Sequence, residues 1–399
     1  MSDTSITGNK PGHNNLPLDI LRQESTPFYY YDMALLQATV QEIHRHTAGM
    51  NCTVHYALKA NENHHIISAI ARMGLGADLV SGGEIDAAIT AGFNPLDMSY
   101  SGVGKTDREI KSGLKHGIGC FNVESTAELE VINQLAGEMG KQARIAIRVN
   151  PDIDAHTHHY ITTGTASDKF GIAAEMLPQV LRQAIGLPHV HPIGLHFHIG
   201  SQITDMQPYQ MLCKAINSLL ETSEQEGLHV EHINVGGGLG IDYDQPDRHP
   251  IPDFKQYFNT FKQGLRLKPD QRIHFELGRS IVGQCGTLIT RVTYVKTTRS
   301  KRFVILDAGM NDLVRPALYG ARHKIENLSA PADAPIEVCD VVGPVCESSD
   351  VFAHDYPLAS PRRGDLVAIR SAGAYGESMA SRYNMRPLAQ AVISGHEKP

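Results

Sequence analysis

"GADLVSGGEIDAAITAGF", residues 76–93, sets a strand-like run directly against a helical one. The first part, through Val80, is short and mostly apolar, and it stops at Ser81, Gly82 and Gly83. Ile85, Ala88 and Ile89 then recur at helical spacing. One such unit decides little, but it recurs on both sides. Strand-like runs stand at "VHYALKA" (54–60), "DMSYSG" (97–102), "GCFNVES" (119–125), "RIAIRVN" (144–150), "IGLHFHIGS" (193–201), "HINVGGGLG" (232–240) and "RIHFELGRS" (272–280). Helical stretches lie between them, among them "STAELEVINQLAGEMG" (125–140), whose Ser125 is a candidate N-cap, and "YQMLCKAINSLLETSEQEG" (209–227). Eight alternating units predict an α/β fold, a (β/α)8 barrel, with an open doubly wound sheet as the alternative.

After residue 280 the pattern turns β-rich, in "GTLITRVTYVKTT", "RFVILDAG", "IEVCDVVGPVCES" and "DLVAIRSAGAYG". The expected organisation is therefore a barrel over 33–280 and a β domain over 281–399. The earlier "TPFYYYD" run (26–32) places residues 16–32 with the β domain as a contributed strand.

Bulk composition narrows the function. Of 399 residues, 41% are hydrophobic and 20% charged, the balance of a globular chain with a real core. A net charge of -7 argues against general nucleic-acid binding. No apolar run approaches the ~20 residues that span a bilayer. The opening "MSDTSITGNKPGHNN" is polar, lacks the apolar core of a secretory signal and reads as a disordered tail through Asn15. Six scattered cysteines form no CxxC pair, so a reducing cytoplasm is the expected compartment.

In a barrel of this type, chemistry gathers at the C-terminal ends of the strands. Several runs end in unusual residues. The first ends at Lys59, either a lysine reaching water or a desolvated amine able to form a Schiff base. The second carries Asp78 and then "SGGE"; the sixth ends in "HFHIGSQ" with His196, His198 and Ser201; the seventh in "GGGLG"; the eighth in "ELGRS" with Glu276 and Arg279. Each has a plain alternative. Glycine runs mark tight turns everywhere, and Glu276 can simply pair with Arg279. His196 and His198, two apart on a strand, share a face and invite a metal reading, as does "DAHTHHY" (154–160), but no matching Asp or Cys set accompanies them. Taken together, a strand-end lysine, a glycine loop that can cradle phosphate and a strand-end carboxylate point to pyridoxal 5'-phosphate.

"YALKAN", "SGGE", "HIGSQ", "GGGLG", "ELGRS", "RPALYGA", "GPVCESSD" and "GAYG" occur in that order over nearly the whole chain. This series resembles the fold-type III pyridoxal-phosphate decarboxylases. The resemblance implies an alanine-racemase-like barrel, a C-terminal β domain and a homodimer with shared sites. By position, Lys59 is similar to the family's Schiff-base lysine, His198 to the histidine stacked on the pyridine ring, and Glu276 to the partner of the ring nitrogen. Gly236, Gly237, Gly238, Ser201 and Tyr375 match the phosphate contacts. Arg279 is expected beside both cofactor and substrate, as is Tyr375. Arg315 and Tyr319 match substrate-carboxylate contacts, Cys346 the proton donor and Glu347 the group that meets the substrate amine. Cys346 and Glu347 are expected from the partner subunit, and Lys169 is expected to reach Asp350 across the dimer. Leu277 stands where relatives often carry proline.

Read without the family, Cys346 follows a Gly-Pro turn beside a carboxylate, and most such thiols are inert fillers. Pro316 is expected to force Arg315 into an extended or turn setting, where its guanidinium suits a carboxylate. The family's substrates include ornithine, arginine, carboxynorspermidine and diaminopimelate. An ornithine site usually places Asp after the cysteine, whereas Glu347 stands here. A distal pocket with Arg315, Tyr319 and Glu347 meets both a carboxylate and an ammonium. It favours meso-2,6-diaminopimelate, giving L-lysine and CO2. Other expectations to weigh are a metal-dependent barrel hydrolase using His196 and His198, and a non-catalytic regulatory homologue; the latter tends to lose the lysine or the cysteine, and both are present.

Overall fold

The computed structural model describes residues 16–153 and 169–395. The expected tail and "DAHTHHY" lie outside the described residues. The chain divides into two compact units: Val40–Gly240 with Asp253–Ile281, and Met1–Thr39 with Ile241–Pro252 and Val282–Pro399.

Strand β1 (Phe28–Tyr31) belongs to the second unit. The first unit holds β2 (Cys52–Ala57), β3 (Gly76–Leu79), β4 (Met98–Tyr100), β5 (Cys120–Val123), β6 (Ala143–Asn150), the two-residue β7 (Ile172–Ala173), β8 (Val190–His196), β9 (His232–Asn234) and β10 (Arg272–Leu277). Leaving out β7, which pairs only with β6, eight of these strands form a closed ring. The ring runs β2-β3-β4-β5-β6-β8-β9-β10 and returns to β2, and every pairing is parallel. The eight predicted runs are these eight strands, and the barrel rather than the open sheet is what forms.

The packing explains which residues face the axis. On β10, the Phe275 ring lies against Tyr257, Phe258 and Phe261 at centroid distances of 5.7, 4.9 and 5.3 Å. Those three residues share one face of the helix Phe254–Gly264. Side chains alternate along a strand, so Phe275 outside sends Glu276 inward. Truncating Phe275 to alanine costs about 3–5 kcal/mol.

Local signals start the helices. Ser81 caps the helix Gly82–Ala91 by accepting from Glu84 N–H, and the Glu84 carboxylate accepts from Val80 N–H at 2.7 Å. Ser125 and Glu128 repeat the device at the helix Thr126–Glu138, as the sequence predicts for Ser125. "SGGE" is thus first a helix start.

The second unit contains β11 (Gly286–Thr297), β12 (Arg302–Leu306), β13 (Ile325–Asn327), β14 (Ile336–Val342), β15 (Val351–Ala359), β16 (Leu366–Ile369) and β17 (Gln390–Ile393). They form one mostly antiparallel sheet in the order β13-β16-β11-β12-β14-β15, with β1 pairing antiparallel to β11 and parallel to β17. Residues 241–252, which interrupt the barrel in sequence, cluster with this unit.

Candidate active site

Each strand of the ring delivers a polar residue at or just beyond its C-terminal half: Lys59 after β2, Asp78 on β3, Ser99 on β4, Asn122 on β5, Arg148 on β6, His196 on β8, Asn234 on β9 and Glu276 on β10. They form connected pairs and triads rather than eight separate groups. Asn122 Nδ2 donates to Ser99 Oγ and Ser101 Oγ, both at 2.8 Å, and to Glu276 Oε1 at 3.3 Å. Asn234 Nδ2 donates to Glu276 Oε1 at 2.7 Å, and His196 Nε2 to Glu276 Oε2 at 3.0 Å. The plainer alternative, a Glu276–Arg279 pair, is not what holds this carboxylate; Arg279 Nη2 donates to Ser201 Oγ at 3.1 Å. Two predicted residues, Arg279 and Ser201, are thereby brought together, while Asn122, Asn234 and the role of His196 were missed.

The electrostatics follow from this wiring. Burial alone would raise the Glu276 carboxyl. The His196 imidazole, by charge and by hydrogen bond, outweighs it with help from Lys59 and holds the group below the usual carboxylate range. Lys59 stands in a single helical turn, Leu58–Ala60, just past the strand. Its Nζ lies 3.1 Å from Asp78 Oδ2; the lysine side chain is 38% exposed and that of Asp78 only 1%. The lysine is thus half open and paired, not sealed in the core. Burial pushes Asp78 up to about 6, aided by the Glu276 charge and opposed by Lys59. Burial likewise brings Glu84 to about 7.

His196 and His198 do not work as a pair. His196 ends β8 and serves Glu276, while His198 lies beyond the strand and accepts from Gly237 N–H at Nδ1, 3.3 Å away. Burial, then the Arg148 and Lys59 charges, drive His198 well below the ordinary histidine value, so it is a neutral ring. Arg148 itself is fixed by Glu124 at 2.7 Å.

The glycine loop follows β9 and is wired internally. Gly236 N–H donates to Asn234 Oδ1 at 2.9 Å and Gly237 N–H to His198. Two of the three amides are therefore spent inside the protein. The loop needs glycine for close approach: a Cβ on Gly237 would stand 1.8 Å from the Glu276 carbonyl oxygen, and Gly236 and Gly238 have φ of +71° and +98°.

The remaining predicted residues belong to the β unit. Arg315 and Tyr319 are the first and last residues of the helix Arg315–Tyr319, four apart and so on one face. Of the extended or turn setting expected from Pro316, Arg315 does not take the extended one: it opens a five-residue helix. Pro316 sits in the first turn of that helix, where its missing N–H costs nothing. Arg315 is 4% exposed and donates to Tyr243 Oη at 2.9 Å and to His323 Nε2 at 3.0 Å, so it is no ordinary surface arginine. Tyr375 holds a φ of +56°, which a non-glycine residue adopts at a cost of about 1–3 kcal/mol. Cys346 and Glu347 are exposed on the turn after β14. Cys346 N–H donates to Asn384 Oδ1 at 3.2 Å, and Glu347 accepts from Tyr383 Oη. Beneath them Asp350, 3% exposed, accepts from Met310 N–H at 2.6 Å and Val345 N–H at 2.7 Å. Its carboxylate props its own turn, and Lys169 is exposed.

The barrel set fits the pyridoxal group implied by the motifs. It offers an amine for an aldehyde, a buried carboxylate kept ionised for a ring nitrogen and a neutral imidazole able to lie against an aromatic ring.

Comparison with known proteins agrees. Residues 34–283 match the family described as "Pyridoxal-dependent decarboxylase, pyridoxal binding domain". The chain is 54% identical to diaminopimelate decarboxylase of Bacteroides thetaiotaomicron over 95% of this chain and 98% of that protein. It is 42% identical to the Aquifex aeolicus enzyme of the same name, over 92% and 86%. Among solved structures, diaminopimelate decarboxylase from Helicobacter pylori complexed with L-lysine superposes with a TM-score of 0.88 at 41% identity, covering 94% of this chain and 93% of that one.

Proposed function

The chain belongs to the pyridoxal-dependent decarboxylases, and from that premise we propose that it converts meso-2,6-diaminopimelate to L-lysine and CO2. The observation that carries the reading is the match over 95% of the chain to a diaminopimelate decarboxylase, combined with a buried arginine, Arg315, in the β unit. When bound, pyridoxal phosphate supplies an electron-accepting ring that lets the α-carboxylate depart as CO2.

The chain's own residues divide the remaining work. Lys59 Nζ holds the cofactor aldehyde, and Asp78 steadies that amine. Glu276, kept ionised by His196, holds the proton on the ring nitrogen. His198 lies against the ring. Gly236, Gly237, Gly238, Ser201 and Tyr375 take the phosphate, with the inward-turned amides of Gly236 and Gly237 shaping the loop more than donating. Arg279 serves cofactor and substrate. Arg315 and Tyr319 meet the distal carboxylate and Glu347 the distal ammonium. Cys346 Sγ delivers the proton that replaces CO2. We further propose a homodimer in which Cys346 and Glu347 come from the partner subunit and Lys169 approaches Asp350. All six cysteines are free, and among the described residues no helix is long and apolar enough to cross a membrane, which supports a cytoplasmic setting.

The test is CO2 release from diaminopimelate, ornithine, arginine and lysine measured side by side. Preference for diaminopimelate is expected. Equal turnover of ornithine overturns the substrate assignment.

A further inference from the structure

Arg315 is aimed by neighbours that the family motifs did not bring forward. Its guanidinium lies over the Tyr243 ring, 5.0 Å from the centroid, and donates to the Tyr243 hydroxyl at 2.9 Å and to His323 Nε2 at 3.0 Å. Tyr243 and His323 themselves meet edge to face at 5.0 Å. A neutral imidazole donates from one nitrogen and accepts at the other. His323 Nδ1 lies 2.8 Å from the Arg370 carbonyl oxygen, which can only accept. Nδ1 therefore carries the proton, and Nε2 offers its lone pair to the arginine. The tautomer is dictated by the backbone.

The next shell holds these two residues in turn. The Arg370 guanidinium donates to Asp247 at 2.8 Å and to Glu326 at 2.8 Å, and Lys324 Nζ donates to Asp247 at 2.7 Å. Asp247 and Tyr243 lie on the same segment, 241–252. Arg370 thus fixes His323 through its carbonyl and the Tyr243 segment through its side chain. Both supports of Arg315 are locked by one residue.

We infer that His323, with Tyr243, is a positioning residue for Arg315 and so a determinant of distal-carboxylate affinity. The inference rests on the reading that Arg315 meets that carboxylate. A guanidinium without these supports samples several rotamers, and the ordering entropy is then lost on binding. His323 does not touch the reacting atoms, so its loss acts on KM far more than on kcat.

The test uses the full-length enzyme loaded with cofactor, with far-ultraviolet dichroism and melting temperature checked for each variant. His323→Leu is expected to raise KM for diaminopimelate ~10-fold or more, leaving kcat within about threefold. His323→Gln can still donate to the Arg370 carbonyl and accept from Arg315, and it is expected to restore most of that KM. L-lysine as a competitive inhibitor should weaken in parallel with KM, whereas 1,5-diaminopentane, which lacks the carboxylate, should bind unchanged. If Arg315→Ala raises KM and His323→Leu, still folded, does not, the positioning role is wrong. If neither substitution alters KM or the lysine-to-diaminopentane preference, the assignment of Arg315 to the carboxylate fails first. A fall in kcat with KM constant, or equal weakening of both inhibitors, also overturns the inference. Should His323→Leu not fold, Tyr243→Phe removes one Arg315 contact while keeping the ring, and a smaller KM rise with constant kcat is expected from it.

Discussion

His196 Nε2 meets Glu276 Oε2 at 3.0 Å, with the side chains only 1% and 4% exposed. They stand on β8 and β10, with β9 between them. A charge so enclosed depends on its partner. His196→Ala leaves Glu276 only the Asn234 and Asn122 donors and should lower stability by about 1.5–3 kcal/mol, the loss of one hydrogen bond to a buried charge. Urea unfolding of the cofactor-free protein checks this. Glu276→Gln should instead fold well and keep bound cofactor, yet lose on the order of 10²-fold in kcat through the lost ring-nitrogen partner. A Gln variant of full activity would remove Glu276 from the chemistry.

Lys59 is paired to the Asp78 carboxylate just beyond β2. Borohydride should fix the cofactor to the wild-type chain at this residue, readable by peptide mass. Lys59→Ala should abolish both the adduct and the visible absorbance of bound cofactor. An adduct at a different lysine would reassign the site.

At the other end of the barrel, three histidines predict acid sensitivity. His55 Nδ1 donates to the Asp97 carbonyl at 3.0 Å, His55 Nε2 accepts from His274 Nδ1 at 2.9 Å, and His232 stacks on His274 at 3.6 Å. Burial lowers all three, His232 to about 3, with Arg144 and the neighbouring imidazoles reinforcing the drop for His232 and His274. A lowered histidine is neutral in the fold but takes a proton near pH 6.5 when unfolded. Its stabilisation is complete above that value and is lost as pH falls below it, by roughly 1.4 kcal/mol per pH unit per group. Asp78 and Glu84, raised by burial, act with the opposite sign over the same window. The clean measure is therefore a difference: between pH 6.5 and 4.5, wild type should lose stability more steeply than His232→Asn. Parallel urea profiles would dismiss the cluster as a sensor.

Subunit mixing tests the proposed sharing of sites. Lys59→Ala and Cys346→Ala homodimers should each be nearly inactive, the second by on the order of 10²-fold or more. After partial dissociation and exchange, half the dimers are mixed and each mixed dimer has one intact site, so recovery should approach roughly a quarter of wild type. No recovery after verified exchange means that both residues serve a site within one chain.

Much of this fold is legible in the sequence. The eight barrel strands announce themselves because a parallel strand, covered on both faces, must be apolar and short. Lys59, Glu276 and Arg315 could be singled out by motif. Asn122 and Asn234 could not, since a lone asparagine in "GCFNVES" or "HINVGG" carries no signal until ring closure aims it at Glu276. A polar residue inside each apolar strand was the available hint. Tyr243 and His323 were missed for a different reason: nothing in "IDYDQPDRHP" says that residues between two barrel strands cluster with the β unit. Strand β15 escaped because His354, Asp355 and Pro357 break its alternation, as an edge strand allows. The internal wiring of the glycine loop was equally hidden, because nothing in "GGGLG" says that two of its amides meet Asn234 and His198.

Strand β1 carries a consequence for synthesis on the ribosome. "FYYY" emerges early, but its two neighbours, β11 and β17, are among the later segments to be made. The first partner, β11, follows roughly 250 residues behind, a wait on the order of 10–50 s at ordinary elongation rates. During that interval an uncharged, aromatic, strand-forming segment has no native edge to join, the condition in which nascent chains pair with one another. Expression yield, and demand for a chaperone that shelters early segments, should therefore depend on translation speed between residues 32 and 286 more than on the stability of the finished enzyme.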